Sequence, residues 1–164
     1  MMGPFASWPA CRAQGIAKQP ALHSLRFTAY PLFPIPYMNY LSKDDLLDLH
    51  AYAVGRYGGL MGVKSQERLQ QVTQAPRQEL FGTEIYPDLP SKGAALVYML
   101  LKSHPFIGGN EVTALLALLR FLQLNDMALR PEIGDKDIFG LFRALNHSDM
   151  GKDELERWLR ESLT

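Results

Sequence analysis

Two consecutive helical segments that are apolar on most sides constrain the fold of this chain more than any other feature. The first is predicted from about Lys92 to Ser103, with Ser91 as its N-cap, and the second from Asn110 to about Leu124. A helix that is apolar all round has to be buried. The sequence therefore predicts an all-α fold with these two apolar helices at its centre.

Four amphipathic segments are expected to surround the central pair. Ser42 caps a first helix that ends near Tyr57, before Gly58-Gly59, and Ser65 caps a second that ends before Pro76. The remaining two helices are predicted at Asp135–Asn146 and Asp153–Leu163. Residues Phe81–Pro87 carry turn formers and aromatic side chains without a helical period, which predicts a loop or a short β-hairpin.

Composition excludes several classes of function. At 164 residues one domain is the default, and no apolar run reaches the roughly 18 residues that a membrane span needs. The formal net charge is zero, which argues against direct nucleic-acid binding through a basic surface. Because Cys11 is the only cysteine, no intrachain disulfide is possible, and a cytoplasmic location is expected. We expect neither a membrane nor a nucleic acid as partner.

Residues 1–37 differ in character from the rest of the chain. Up to residue 42 there is no Asp or Glu, and six of the eleven prolines lie in this stretch. It could be a targeting peptide, since such peptides are poor in acidic residues. It could also be a mispredicted extension ahead of a true start at Met38, which we favour. In either case we expect residues 1–37 to be poorly structured and residues 38–164 to form the domain.

The glycine-rich loop between the central helices has the features of an anion site. The first N–H groups of a helix lack intrahelical partners and carry the positive end of its dipole. Gly108 and Gly109 let the backbone approach a ligand closely, and Phe106 is expected to anchor the loop to the core. A neutral His104 could accept a proton from a hydroxyl that attacks a bound phosphate.

The same loop lacks the positive charge that phosphate chemistry requires. Phosphoryl transfer depends on cations that neutralise the moving group. Gly108 cannot bind a metal ion, Val112 offers no side-chain donor, and Glu111 would repel a phosphate at the helix start. Rescue by Glu111 as a displaced Mg²⁺ ligand is conceivable, but a first-turn carboxylate that favours the helix dipole is the simpler interpretation.

Structural interpretations compete for several of these residues. His104 could be a helix-end histidine satisfied by the backbone, and Asn110 could be an N-cap, a ligand-binding residue or both. His50 is expected to be a partly buried structural residue of the first helix. We expect His147-Ser148-Asp149 to form a turn between helices rather than a catalytic group, because adjacent side chains rarely face one another.

The stretch from His104 to Ala114 resembles the signature loop of the Fic/Doc family, His-Pro-Phe-x-Asp/Glu-Gly-Asn-Lys/Gly-Arg-Thr-Ala. His104, Phe106, Gly109, Asn110 and Thr113 stand where the pattern has them. Gly108 stands in place of the acidic metal ligand, and Glu111 and Val112 in place of the two phosphate-holding residues. The resemblance to the Doc branch extends from Leu41 to Leu163 through Leu47–His50, Gly58-Gly59, Gly62–Lys64, Phe81-Gly82, Tyr86-Pro87, Lys92–Leu96 and Ala114–Ala117.

The resemblance implies a helical protein that transfers part of ATP to a protein hydroxyl, with ATP and Mg²⁺ as cofactors if it is active. Fic relatives transfer AMP, and Doc-like toxins transfer the terminal phosphate to elongation factor Tu and pair with an antitoxin peptide. It further implies that His104 is the general base, that Gly109 and Asn110 bind phosphate, and that Phe81–Tyr86 lies near a flap that docks the target.

Two hypotheses about function follow. The first is a Doc-like toxin of a toxin-antitoxin system whose transferase activity is impaired by Gly108, Glu111 and Val112. The alternative is a catalytically inactive Fic/Doc-fold module that binds an antitoxin-like peptide or another partner. A decayed gene product without a role is a third.

Overall fold

The computed structural model describes residues 37–164, so the expectations for the preceding leader lie outside the described residues. Six helices make up most of this part: α1 Lys43–Tyr57, α2 Gln66–Gln74, α3 Leu89–Ser103, α4 Asn110–Leu124, α5 Asp135–His147 and α6 Lys152–Ser162. A 3-10 turn, Ala75–Arg77, follows α2, and the strands β1 Glu79–Leu80 and β2 Thr83–Glu84 form one antiparallel hairpin. The predicted helical fold with a short hairpin is confirmed.

Helix α3 lies at the centre of the fold. It packs against α4, α6, α2 and the 3-10 turn, while α1 packs against α4. Its buried residues are Ser91, Lys92, Gly93, Ala94, Ala95, Leu96, Val97, Leu100 and Leu101. Helix α4 differs, because it is fully buried only along the face that carries Ala114, Ala117, Leu118, Phe121 and Leu122. Within residues 37–164, no helix has the length and apolar character needed to cross a membrane.

Side-chain caps fix the starts of the first three helices. Ser42 and Ser65 are N-caps as predicted, and each accepts a hydrogen bond from the backbone N–H three residues later. The predicted cap at Ser91 is wrong, because Asp88 caps α3 and Ser91 completes its capping box. The helix starts earlier because Pro90 occupies its first turn, where proline is favoured since its missing N–H is not needed there.

The segment predicted as a loop or hairpin forms a hairpin that begins earlier, at Glu79. Its turn residues Phe81 and Gly82 both have positive φ, 51° and 78°, as tight hairpin turns require. The hairpin lies at the amino end of α3, whereas His104 ends that helix. Because 15 residues of helix extend about 22 Å, a target docked at Phe81–Tyr86 would have to span that length to reach His104.

A buried lysine fastens the hairpin to the core. Lys92 is only 2% exposed, and its Nζ lies 3.0 Å from a carboxylate oxygen of Glu84 and donates a 3.3 Å hydrogen bond to the carbonyl of Pro76. Burial opposes the ammonium form, but the Tyr40 and Glu84 side chains outweigh it, so the pKa of Lys92 is raised. The charge therefore stays on Lys92 and holds β2 in place.

We expect Glu84→Gln to lower the free energy of unfolding by about 1–3 kcal/mol, because it leaves a buried charged donor without its carboxylate. Glu79, which pairs with Glu84 across the hairpin, is an exposed carboxylate and provides the matched control. Glu79→Gln should change stability by less than about 0.5 kcal/mol. Urea denaturation of both variants measures the difference, and equal losses would show that the Lys92–Glu84 pair does not hold the hairpin.

Candidate functional site

His104 ends α3 in the left-handed conformation, with φ 47° and ψ 65°. Its N–H donates to the carbonyl of Leu100, and its side chain is exposed. The next residue, Pro105, is buried, and its carbonyl accepts hydrogen bonds of 2.7 and 3.2 Å from the N–H groups of Lys64 and Ser65. The predicted base therefore lies at the surface, immediately before a backbone segment that is firmly held.

The chain between α1 and α2, residues 58–65, lies against the signature loop, and we call it the glycine connection. Val63 forms an antiparallel bridge with Phe106, and the N–H of Ile107 donates a 3.0 Å hydrogen bond to the carbonyl of Gly62. The loop thus has a short strand-like partner from a part of the chain about 40 residues earlier. This pairing fixes the path of the loop before α4 begins.

The Asn110 side chain closes the loop on itself. Its Oδ1 accepts from the N–H of Phe106 and its Nδ2 donates to the carbonyl of the same residue, both at 3.0 Å. Gly109, with φ 66°, is the N-cap of α4 and has no side chain to cap the first-turn N–H groups. A phosphate at this helix start would therefore meet backbone donors first. The phosphate-binding roles of Gly109 and Asn110 stay predictions.

His50 joins the surrounding segments through both ring nitrogens. Nε2 accepts a 3.3 Å hydrogen bond from the N–H of Gly62, so the ring proton lies on Nδ1. Nδ1 is 3.3 Å from Oγ1 of Thr113, which in turn donates a 2.7 Å hydrogen bond to the carbonyl of Gly109. The imidazole also stacks on the ring of Phe106, with centroids 4.0 Å apart and planes inclined by 10°.

The structure gives His50 a larger role than the sequence indicated. It is 2% exposed, and burial lowers its pKa because the charged form loses its hydration. Only the neutral ring can accept the hydrogen bond from Gly62. The stack with His50 holds Phe106, itself 1% exposed, in the place that the sequence assigned to a loop anchor.

Gly108 is pressed against the glycine connection. A Cβ placed on Gly108 would lie 2.9 Å from the backbone nitrogen of Leu60 and 3.3 Å from its carbonyl oxygen. In return, a Cβ on Gly62, which has φ 135°, would lie 2.9 Å from Cδ1 of Ile107. The backbone of Leu60 therefore closes position 108, where the family pattern has an acidic residue, to any side chain as long as Leu60 keeps its place.

The donor groups around the loop do not fit a Mg²⁺ ion. Magnesium in such sites is held by one or two carboxylates in near-octahedral geometry. Gly108 supplies no ligand, and Glu111 lines an apolar pocket with Tyr57 and Phe139. No group of three or more His, Cys, Asp or Glu side chains suitable for a metal occurs within residues 37–164. The side chains around this loop therefore do not form a magnesium site.

Sequence reasoning named the residues of the loop and missed the residues that hold it. The structure brings Phe106 and Asn110 together, with Gly109 and Thr113 nearby, as one unit around His50. Leu60 was missed, and Gly62 was named only as part of the family pattern, whereas both contact the loop through their backbones. The signal available in the sequence was the close spacing of Gly58, Gly59 and Gly62, since repeated glycines often mark a close backbone approach.

We expect Gly108→Ala to destabilise the protein by about 1–3 kcal/mol, because its Cβ collides with backbone atoms that cannot rotate away. Gly140, inside α5, is the matched control, since a Cβ there meets nothing within 4 Å. Gly140→Ala should stabilise by about 0.5–1 kcal/mol through helix propensity. Urea denaturation measures both, and an unchanged midpoint for Gly108→Ala would contradict the close approach of Leu60.

We expect the free energy of unfolding to fall as the pH is lowered through about 6.5. Below this pH the unfolded chain protonates residue 50, while the folded chain, with a lowered pKa, does not. Asp45 and Asp88 do not contribute near this pH. Hydrogen bonds from Ser42 lower the pKa of Asp45. Burial opposes the charged form of Asp88, but hydrogen bonds from Arg160 and Ser91 outweigh it and lower its pKa, so both carboxyl groups stay charged. Urea denaturation between about pH 5 and 7.5 measures the slope.

His50→Gln should remove most of this pH dependence. The control His147→Gln, which replaces an exposed histidine at the end of α5, should leave it unchanged. A wild-type slope that survives in His50→Gln would show that another group is responsible.

Comparison with known proteins covers the part of the chain that holds this loop. The pattern of the Fic/DOC family matches residues 40–122, which include all of α1, α2 and α3 and most of α4. The toxin Doc of Mycolicibacterium smegmatis is 32% identical over 90 residues, which cover 55% of this chain and 67% of that protein. The protein kinase doc of Escherichia phage P1 is 30% identical over 100 residues, covering 60% and 79%. The resemblance inferred from the sequence is confirmed, and the chain belongs to the Fic/DOC family.

Proposed function

We propose that this protein is a Doc-like toxin of a toxin-antitoxin system whose transfer of phosphate or AMP from ATP to a protein hydroxyl is greatly reduced. The similarity to a toxin Doc and to a protein kinase doc supports the first half of this proposal. Elongation factor Tu is the first target to test, an antitoxin-like peptide is the proposed partner, and the cytoplasm is the proposed location.

The contact between Gly108 and Leu60 supports the second part of the proposal, that the transferase activity is greatly reduced. Transfer from ATP relies on positioned cations around the reacting phosphate. Here the acidic position is both empty of a ligand and closed by backbone, and the start of α4 carries the negative charge of Glu111. A polyphosphate brought to the first turn of α4 would gain from the backbone N–H groups and lose from Glu111.

His104 keeps a placement from which residual chemistry is feasible. Its side chain is exposed, and the loop that follows is held by Asn110 and His50, so its backbone position is defined. In the proposed reaction its neutral imidazole accepts the proton of the attacking hydroxyl. Any remaining activity should therefore disappear in His104→Ala.

A second candidate function is binding without catalysis. The observation in its favour is an apolar pocket whose wall includes Glu111 and Val112, the two positions that hold phosphate in the family pattern. A protein that has lost its phosphate-binding side chains and shows an apolar pocket in their place could act by engaging an antitoxin-like peptide. Expression in a bacterial host separates the candidates, because growth arrest that depends on His104 supports the enzyme.

We expect the wild-type protein to label elongation factor Tu only weakly, at or slightly above the level of His104→Ala, with ATP radiolabelled at either the α- or the γ-phosphate. Glu111→Lys/Val112→Arg should regain measurable labelling, because it restores positive charge at the start of α4. Adding Gly108→Asp should bring no further gain, since its side chain collides with Leu60.

The charge control is Glu67→Lys, at the matching second position of α2. It should leave labelling at the wild-type level. Strong wild-type labelling that His104→Ala abolishes would overturn the reduced activity and establish an active transferase. The position of the radiolabel would then decide between phosphate and AMP transfer.

A further inference from the structure

Helix α4 carries a second apolar stripe that the fold does not bury completely. Val112, Leu115, Leu116 and Leu119 follow one another at the spacing of one helix face. The first three are half-buried and Leu119 is exposed, in contrast to the fully buried stripe that packs on α3. The amino half of this stripe forms the wall of a pocket.

The pocket has a volume of about 130 Å³ and lies between the end of α1, the start of α4 and α5. It is lined by Tyr57, Glu111, Val112, Leu115, Leu116, Phe139 and Phe142. Tyr57 and Phe139 are aromatic yet 64% and 63% exposed, so large apolar area remains in water at this pocket. Since an apolar cavity of about 150 Å³ can hold benzene, the volume suits one branched or aromatic side chain.

The negative charge of Glu111 at the pocket favours a cationic ligand over an anionic one. Of the seven described residues that line it, Glu111 is the only charged one. It lies in the first turn of α4, where the helix dipole favours a carboxylate. A ligand with an ammonium or guanidinium group beside its apolar part can pair with Glu111, whereas an anionic ligand is repelled.

We propose that this pocket docks a peptide that inserts one branched or aromatic side chain and places a Lys or Arg of the next helical turn beside Glu111. The stripe continues along α4 to Leu119, which matches the contact surface of an amphipathic peptide helix. The inference deepens the proposed function and relies on it only for the existence of a peptide partner. In this chain, positions 111 and 112 thus recognise a cationic, apolar peptide.

Three small probes with the same apolar part test the ligand chemistry: 4-phenylbutylamine, 4-phenylbutanol and 4-phenylbutyrate. Each is titrated into the full-length, ¹⁵N-labelled protein, and the amide shifts of Val112, Leu116 and Phe139 are followed. We expect the amine to bind about two- to fivefold more tightly than the alcohol, the range of an exposed ion pair. The butyrate should bind more weakly than the alcohol.

Two pairs of variants distinguish the contribution of the Glu111 charge to probe binding from that of the apolar pocket wall. Glu111→Gln should reduce the affinity for the amine to that for the alcohol, while the control Glu67→Gln, at the same position of α2, changes nothing. Phe139→Ala should weaken all three probes severalfold. The control Phe81→Ala, which removes a 99% exposed phenylalanine at the hairpin turn, should have no effect.

Equal affinities for the three probes, shifts confined to other surfaces, or no shifts up to the solubility limit would each overturn the proposal. Dilution-dependent shifts at the same residues without probe would also overturn it, in favour of an interface between two copies of this chain. No nucleotide or target protein enters these titrations. Strong labelling of elongation factor Tu would therefore refute the reduced activity and leave the probe-binding result unaffected. Failure of the probes to bind would refute the peptide pocket and leave the labelling result unaffected.

Discussion

One buried imidazole fixes the geometry on which the candidate site depends. His50 belongs to α1, accepts from Gly62 in the glycine connection, stacks on Phe106 in the loop and reaches Thr113 in α4. A neutral ring satisfies all of these contacts at once, whereas a protonated ring could not accept from Gly62. The loop therefore owes its shape to a side chain about 55 residues earlier in the chain as much as to its own glycines.

Patterns local in sequence predicted most of the fold. Apolar periodicity, together with the cap at Ser65 and the stop at Pro76 for α2, predicted the six helices of residues 37–164. Ser42 and Ser65 are predictable as caps because side-chain capping depends on neighbouring residues. The prediction of a cap at Ser91 is wrong because Pro90 is favoured in the first turn of a helix, which places the N-cap earlier, at Asp88. The contact of Leu60 with Gly108 could not be located from the sequence, since the close spacing of Gly58, Gly59 and Gly62 indicates a close backbone approach without indicating which segment approaches. The uncovered stripe of α4 likewise depends on contacts distant in sequence, namely where α1 ends and where α5 packs.

The contact between Leu60 and Gly108 determines what the glycine in the altered signature loop means for the site. From the sequence, Gly108 is the loss of one of three expected side chains, and Gly108→Asp would return a carboxylate to that position. In the folded chain the backbone of Leu60 occupies the space beside residue 108, and Gly62, two residues later, has a φ of 135° that favours glycine. Closely packed backbones cannot absorb a new Cβ without moving. The loss at Gly108 is thus built into two segments, and only coordinated changes in both could reverse it.

Positions 111 and 112 link the catalytic and the binding proposals, because one helix start cannot serve both ligands well. A polyphosphate needs cations and backbone donors at the first turn of α4, in contact with water-excluding but polar groups. An apolar side chain with a cationic neighbour needs the reverse: Val112 and Leu116 as wall and the carboxylate of Glu111 as partner. At position 111 the negative charge of glutamate favours the cationic peptide and disfavours the polyphosphate. At position 112 the apolar side chain of valine favours the peptide and offers the polyphosphate no hydrogen-bond donor. Gain of peptide recognition and loss of phosphate transfer can therefore arise from the same two substitutions.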